Sequence, residues 1–206
     1  MNVIRVFGEG RVSVQPNMAK VTLGASTEAM NLTEAQNNNS IIIARIKESL
    51  IKLGILEQQI QTVDYSILPQ YDYKDGEQIF RGYKVQHLLQ VTIEQIEKTG
   101  IVIDTAVSNG ANIVSGIQFT AKDTEQYVQQ ALSLAVVNSY QKAETIAGTL
   151  GVKLIKTPIQ VIENTHQQGV PVPFVAAAFA KSEAATPIQP GTIEFISNIT
   201  AEYIYS

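Results

Sequence analysis

The sequence contains no cysteine, no tryptophan and only two histidines among its 206 residues. Without cysteine, the chain cannot form disulfides, present a thiol nucleophile, or hold zinc or an iron–sulfur cluster through sulfur. His87 and His166 have no second histidine or carboxylate at the spacing of a metal-binding motif. We therefore predict no metal, no cofactor and no enzymatic activity.

Charged residues are also scarce. They make up 17% of the chain, and 15 Lys and Arg against 19 Asp and Glu leave a formal net charge of −4. Soluble domains average about 25% charged residues, so the surface is expected to be rich in amides and hydroxyls. The negative net charge argues against a nucleic-acid partner, because phosphate binding needs a clustered cationic surface.

No segment has the pattern of a signal peptide or a transmembrane helix. Residues from Val3 onward alternate as a strand does, and no uncharged apolar run reaches about 18 residues. The longest apolar stretch is interrupted by Pro171 and Pro173. The sequence as given thus predicts a cytoplasmic protein, with a periplasmic or cell-envelope location as the alternative if a leader has been removed.

Hydrophobic periodicity predicts the elements of the first half. Two alternating runs, 3–14 and 18–29, are expected to form an antiparallel hairpin across the Pro16-Asn17 turn. A helical period follows, with Asn31 or Thr33 as a candidate N-cap and Gly54 just beyond the end. The later elements are a helix over 32–53, a second hairpin over 60–71 and 79–93 with its turn at Lys74-Asp75-Gly76, a short helix over 95–108 and a strand over 113–120.

The longest helix is predicted from Asp123 to Leu150, with Asp123 and Gln126 as a capping box and Gly151 as its stop. Its apolar residues cover more than one stripe, which predicts burial against its own sheet and against the first helix or a neighbouring subunit. Strands are expected over 153–163 and 191–203. The order ββα–ββα–βα–ββ predicts an α+β fold with helices on antiparallel sheet, in a single domain over residues 1–206.

A long loop over about 164–189, rich in proline and alanine, separates the last two predicted strands. Loops of this length inside a compact domain are usually functional or disordered, and apolar content argues against simple disorder. We therefore expect the loop to contribute to a homo-oligomer interface. The predicted interface residues are Pro171, Pro173, Phe174, Val175 and Phe179.

Gly8-Glu9-Gly10 resembles the beginning of a glycine-rich phosphate loop. The motif lies within an alternating strand, however, and no helix begins after it, so the context of a dinucleotide-binding fingerprint is missing. We interpret the two glycines as positions at a bulge or beneath a packed neighbour.

The second hairpin carries a group of acidic and tyrosine residues near its turn. We interpret it as a solvated hairpin tip with aromatic cross-strand pairs. The alternative is a small-ligand or enzyme site, which requires a pocket where the candidate side chains meet. Those candidates are Tyr71, Tyr73, Tyr83 and His87.

The opening run from Val6-Phe7-Gly8-Glu9-Gly10 to Pro16-Asn17-Met18-Ala19 resembles the N-terminal signature of the SIMPL-domain family. Similar stretches follow in order at residues 62–71, Gly82-Tyr83-Lys84-Val85, Gly110-Ala111-Asn112, Gly116-Ile117-Gln118-Phe119, Lys142-Ala143 and Pro187-Ile188-Gln189-Pro190-Gly191. The resemblance implies a bacterial protein of the periplasmic immunogenic or oxidative-stress-associated type, with no established catalytic residues.

The resemblance also implies assembly, because one family member forms a large ring-like oligomer. Together with the low charge and the apolar loop, it predicts an interaction or assembly module with homo-oligomeric or other protein partners. A link to envelope or oxidative stress is implied by the resemblance alone. With no thiol and three methionines, a protective effect would have to be indirect.

Overall fold

The computed structural model describes residues 2–164, 167–172, 186 and 188–206, with the backbone alone for 167–172. The α+β class predicted from the sequence is confirmed by three α-helices and two antiparallel sheets in this described part of the chain. The chain divides into two compact units. Unit 1 comprises Met1–Pro16, Thr120–Val175 and Pro190–Ser206, and unit 2 comprises Asn17–Phe119 and Ala176–Gln189.

The elements follow the predicted order, with two differences near the C-terminal end. The predicted strand over 153–163 is a regular strand only in its last four residues, and part of the predicted loop forms a further strand. The strands are β1 (Val3–Val14), β2 (Met18–Ala29), β3 (Ile60–Lys74), β4 (Glu77–Ile93), β5 (Ile113–Thr120), β6 (Gln160–Glu163), β7 (Gln167–Val172) and β8 (Thr192–Ile204). The helices are α1 (Leu32–Lys52), α2 (Thr99–Ser108) and α3 (Thr124–Leu150), with 3-10 turns at Glu57–Gln59 and Ile96–Lys98.

The predicted hairpin of β1 and β2 is wrong. β1 pairs antiparallel with β8, from Val3 opposite Ile204 to Val14 opposite Ile193, in a sheet of order β1-β8-β6 with β7 also on β8. β2 belongs to the other sheet, of order β3-β4-β2-β5. Alternation shows that a segment is a half-buried strand but does not identify its partner, and the short connection carries the chain from unit 1 into unit 2.

In unit 1, α3 packs against β1 and β8 through a stripe of small residues. Close approach is possible because β1 has glycines beneath the helix. A Cβ at Gly8 would lie 2.2 Å from the Ala135 carbonyl oxygen, and one at Gly10 would lie 1.9 Å from the Ala131 carbonyl oxygen. The interpretation of these glycines as packing positions is confirmed. The buried stripe consists of Ala131, Ala135, Ser139, Ala143 and Ala147.

Two details of α3 differ from the sequence prediction. The Asp123 side chain makes no capping hydrogen bond, so the predicted capping box is absent. The described residues bury one side of the helix only, and Leu134, Val137 and Leu150 are exposed. Gly151 does end the helix in the left-handed conformation, with φ of 69°. Coverage of a second side by a neighbouring subunit stays a prediction.

In unit 2, α1 and α2 cover one face of the sheet, with an aliphatic core between them. Asn31 is the N-cap of α1, since its side chain accepts hydrogen bonds from the backbone N–H groups of Thr33 and Glu34. Asn39 is buried in the same helix, at 1% exposure. Its amide donates to the carbonyl oxygens of Ala25 and Val85, at 2.9 and 3.2 Å. This polar side chain therefore ties α1 to β2 and β4.

Candidate functional site

The hairpin of β3 and β4 extends beyond the end of β2, its neighbour in the sheet. β2 pairs with β4 only as far as Ala29, which lies opposite Tyr83. Past that point the described partners of β3 and β4 are each other, up to a turn in which Asp75 and Gly76 have φ of 55° and 85°. Two successive positive φ values are typical of a type I′ turn. We call the two-stranded part, residues 70–82, the hairpin arm.

One side of the hairpin arm carries the aromatic residues. Tyr71 lies opposite Phe80, with ring centroids 5.7 Å apart, and Phe80 lies 5.2 Å from Tyr83. Tyr73 extends the row and is 76% exposed. A register shift after Gln70 places Phe80 and Tyr83 on the same side. The cross-strand aromatic pairs expected for the hairpin tip are thus present, and we call Tyr71, Tyr73, Phe80 and Tyr83 the aromatic face.

His87 lies away from the aromatic face, farther along β4. Its ring packs edge-on against Tyr65, with centroids 5.2 Å apart, and its Nε2 lies 2.9 Å from the Thr62 hydroxyl. Burial lowers the pKa of His87 below its ordinary value, the charge of Lys47 lowers it further, and Asp64 partly opposes the shift. The structure therefore gives His87 a set of neighbours different from those of the three tyrosines.

Tyr83 lines a cavity of about 250 Å³ at the base of the hairpin arm. The cavity also has Glu28, Gln70 and Arg81 in its wall, whereas the other three candidates are not part of that lining. Arg81 is bound to Glu28 at 2.7 Å and lies 3.6 Å from a carboxylate oxygen of Asp72. The polar groups here are engaged with one another and include no nucleophile paired with a base.

Metal binding has no evident site in the described residues. Across 2–164 and 188–206, no three histidine, aspartate or glutamate side chains are grouped as a metal ion would require. In the hairpin, Asp72 instead pairs with arginine, Asp64 accepts a hydrogen bond from Gln86, and the carboxylates near the turn face solvent.

A second concave surface lies in unit 1, and the sequence prediction did not anticipate it. Among the described strands, β1 lies at the edge of its sheet, and one flank of α3 runs beside that edge. The space between them has a volume of about 540 Å³. We call it the α3–β1 groove. Its walls are Arg5, Val6 and Phe7 of β1 and Gln141, Lys142, Thr145 and Ile146 of α3. The sequence analysis does not predict this groove because it pairs β1 with β2, and a hairpin of these strands would cover the edge.

The predicted interface residues of the long loop are only partly placed. The backbone of Pro171 lies in β7, opposite Ile193 of β8. Pro173, Phe174, Val175 and Phe179 lie outside the described residues. Their contribution to an interface stays a prediction.

A sequence profile for the SIMPL family, described as a protein of unknown function (DUF541), matches residues 4–203. The match spans both units and includes every helix and strand of the fold, apart from the outermost residue of β1 and of β8. The chain belongs to the SIMPL family. In this SIMPL chain, the Gly8-Glu9-Gly10 motif serves to seat α3 on β1.

Relatives from several bacteria are similar to this SIMPL chain at 24–28% identity. The 26 kDa periplasmic immunogenic protein of Brucella melitensis biotype 1 is 28% identical over 189 residues, which cover 89% of this SIMPL chain and 75% of the relative. The uncharacterized protein YggE of Edwardsiella ictaluri is 28% identical over 148 residues, or 71% of this chain and 62% of YggE. YggE of Escherichia coli K12 is 24% identical over 147 residues, covering 71% and 60%.

Membrane crossing by a helix is not supported by the described part of this SIMPL chain. None of its helices combines the length and the apolar composition needed to span a bilayer.

Proposed function

We propose that this SIMPL protein is a non-enzymatic interaction module that assembles with copies of itself in the periplasm or elsewhere in the cell envelope. The location is supported by the name of the Brucella relative, a periplasmic protein. The absence of catalysis is supported by the scattered positions of the candidate site residues, since His87 has neighbours different from those of Tyr83. Acid–base chemistry requires such groups within hydrogen-bond reach of one reacting atom.

The observation that carries the proposal is the aromatic face of the hairpin arm. Two strands alone are marginally stable in water and usually need a cover on their apolar side. The charged side chains Asp72, Lys74 and Glu77 alternate with the aromatic ones and therefore lie on the opposite side of the arm. Exposed apolar patches on one side of an element are typical of protein interfaces. The aromatic face is therefore the first expected contact between copies.

A second apolar surface lies on α3, in the other unit. Leu134, Val136 and Val137 are exposed there although the helix is packed against its sheet through its small residues. Two different patches on one chain allow head-to-tail contacts, and such contacts generate rings when the rotation closes. The low charge of the chain is consistent with surfaces that are covered in an assembly.

A role in oxidative stress, if this chain shares one, is expected to be indirect. The chain has no cysteine and three methionines, so it lacks the thiol chemistry and the methionine-rich surface that scavenging would use.

The decisive experiment measures molecular mass by light scattering over a range of concentrations. We expect an oligomer for the intact chain and a lower mass for the Tyr71→Ser/Tyr73→Ser/Phe80→Ser variant, because the substitutions remove the apolar contact. The matched control is Asp72→Ser/Lys74→Ser, on the opposite side of the same arm, which should keep the oligomer. A monomeric intact chain, or a triple variant of unchanged mass, would refute the role of the aromatic face.

The long loop is tested separately. Deletion of residues 171–179 is expected to reduce the mass of the assembly if the loop contributes to the interface. An unchanged mass in the deleted chain would remove the loop from the interface and leave the aromatic face as the remaining contact.

A second candidate function, small-ligand binding, is favoured by the cavity beside Tyr83. Its wall combines an aromatic ring with the amide of Gln70 and the ion pair of Glu28 and Arg81, a combination suited to a small polar ligand. A fragment screen by ligand-detected NMR tests it. Hits that survive in Tyr73→Ser but are lost in Tyr83→Ser would support the cavity, whereas an absence of hits would count against it.

A further inference from the structure

The edge of β1 offers backbone hydrogen-bonding groups on the side away from β8. Even-numbered residues of β1 pair with β8, as the bond from Tyr205 N–H to the Asn2 carbonyl oxygen shows at the start of the ladder. Odd-numbered residues therefore direct their N–H and C=O groups outward. Side chains of α3 confirm this at two positions, because Lys142 donates to the Phe7 carbonyl oxygen and Asn138 accepts from the Glu9 N–H.

These two side chains limit how much of the edge is open. Asn138 and Lys142 occupy the edge at Glu9 and Phe7, with distances of 3.1 and 2.8 Å. Native proteins commonly protect edge strands in this way against pairing along their full length. In the part of the chain that the structure describes, no strand pairs with β1 on this side from Val3 to Phe7, a section that at roughly 3.3 Å per residue accommodates a strand of four or five residues.

The α3–β1 groove lies along this open section. Val6 of β1 and Ile146 of α3 form its apolar part, and Ile146 is 39% exposed. An edge strand beside a helix is the arrangement in which an extended peptide adds to a sheet, with backbone bonds on one side and side-chain contacts on the other.

The charged side chains of the groove favour a negatively charged ligand. Its walls contain Arg5 and Lys142 and no carboxylate. Arg5 is already paired with Glu202 at 2.6 Å. The Lys142 ammonium uses one of its three N–H donors on Phe7, so two remain for an anion. A bound strand must also stop near Lys142, because Asn138 blocks the edge beyond it.

We propose that the α3–β1 groove binds the free C-terminus of another polypeptide by strand addition. The bound segment runs parallel to β1, places its terminal carboxylate against Lys142 and packs an aliphatic side chain against Ile146 of α3. A terminal carboxylate satisfies both requirements at once, since it supplies the negative charge and ends the strand where the edge closes. This site is independent of the aromatic face and of the self-assembly proposed above.

Fluorescence anisotropy with the full chain tests the proposal. The probe is a fluorescein-labelled pentapeptide pool, randomised over Val, Ile, Leu, Phe and Ser, with a free C-terminal carboxylate, and the comparison probe is the same pool as the C-terminal amide. We expect saturable binding of the acid pool and at least about tenfold weaker binding of the amide pool, as expected for loss of a charge-assisted hydrogen bond. Lys142→Gln should weaken the acid pool by a similar factor, whereas Lys156→Gln, an exposed lysine outside the groove, should not.

Amide exchange supplies a second measurement that does not depend on affinity. Binding of the acid pool should slow exchange of the Arg5 N–H, an outward-facing group of the edge, and leave the α1 amides unchanged. Equal affinity for acid and amide pools, undiminished binding by Lys142→Gln, or no saturable signal up to about 1 mM peptide would each overturn the proposal.

Discussion

Replacing Gly10 with alanine is the most direct test of how unit 1 is packed. The new Cβ would lie 1.9 Å from the Ala131 carbonyl oxygen, 2.5 Å from the Ala135 nitrogen and 2.8 Å from the Leu134 Cβ. Two of these atoms belong to the helix backbone and cannot rotate away. Since non-bonded heavy atoms settle near 3.5–4.0 Å, α3 would have to move away from β1 by roughly 1.5 Å.

Such a shift would open the whole contact of α3 with β1, because the small residues Ala131 and Ala135 reach the strand only at close range. Inserting one methyl group into a packed core typically costs about 1–3 kcal/mol. With two backbone atoms in the way, we expect the free energy of unfolding of unit 1 to fall by about 3 kcal/mol or more. That is a large share of the roughly 5–15 kcal/mol typical of a domain.

The assay is urea unfolding followed by circular dichroism, together with hydrogen exchange of α3, which reports on unit 1 separately from unit 2. Gly148→Ala is the matched control, because a Cβ there meets no atom within 4 Å and alanine has the higher helix propensity, by up to about 1 kcal/mol. The two variants should therefore change stability in opposite directions. A loss under about 1 kcal/mol for Gly10→Ala, with unchanged exchange in α3, would refute this reasoning.

Three further predictions concern unit 2. Asn39→Leu should lower the free energy of unfolding by about 2–3 kcal/mol, because two strand carbonyls lose their hydrogen-bond donor. Asn37→Leu, on the exposed side of α1, is the control and should change it little. Similar losses for both variants in urea unfolding would contradict the role of the buried amide. Asn31→Ala should cost about 1 kcal/mol through loss of the N-cap, measured in the same way, and a neutral result would mean that another group caps α1. Burial lowers the pKa of His87 in the folded state, so as the pH falls through about 6.5 the unfolded chain takes up the proton first. The folded state is therefore progressively destabilised as the pH falls from about 6.5 to the lower pKa that His87 has in the folded state. In His87→Gln, the free energy of unfolding should consequently change less between about pH 7 and 5. A parallel profile in the variant would contradict this.

Much of the local structure could be predicted from the sequence because the local signals are strong. The alternation of β1 and β2, the Asp75-Gly76 turn and the glycine after α3 each have one favoured conformation, and the structure agrees. The pairing partner of a strand cannot be predicted from such local signals. β1 and β2 are adjacent and both alternate, yet the best partner of β1 comes near the far end of the sequence, where no local pattern points to it.

The candidate site was harder to predict, for a related reason. The sequence groups Tyr71 and Tyr83 with His87 because they share one hairpin, but the register shift after Gln70 and the end of β2 determine which side chains become neighbours. The Asn37-Asn38-Asn39 run has weak helix propensity, and the bonds that the buried Asn39 makes to β2 and β4 stabilise α1 through it. The α3–β1 groove depends on an open strand edge, which is a property of the sheet and not of any segment.

The pairing of β1 with β8 also sets the order in which the chain can fold during translation. The sequence of Asn17–Phe119 lies between the two strands, so a ribosome delivers nearly all of unit 2 before β8 exists. Contacts between residues so distant in sequence form slowly, because a long loop must close first. Nascent β1 must therefore wait for α3 to cover its apolar face and for β8 to pair with its backbone, and during that time it is a surface on which a holdase chaperone could act.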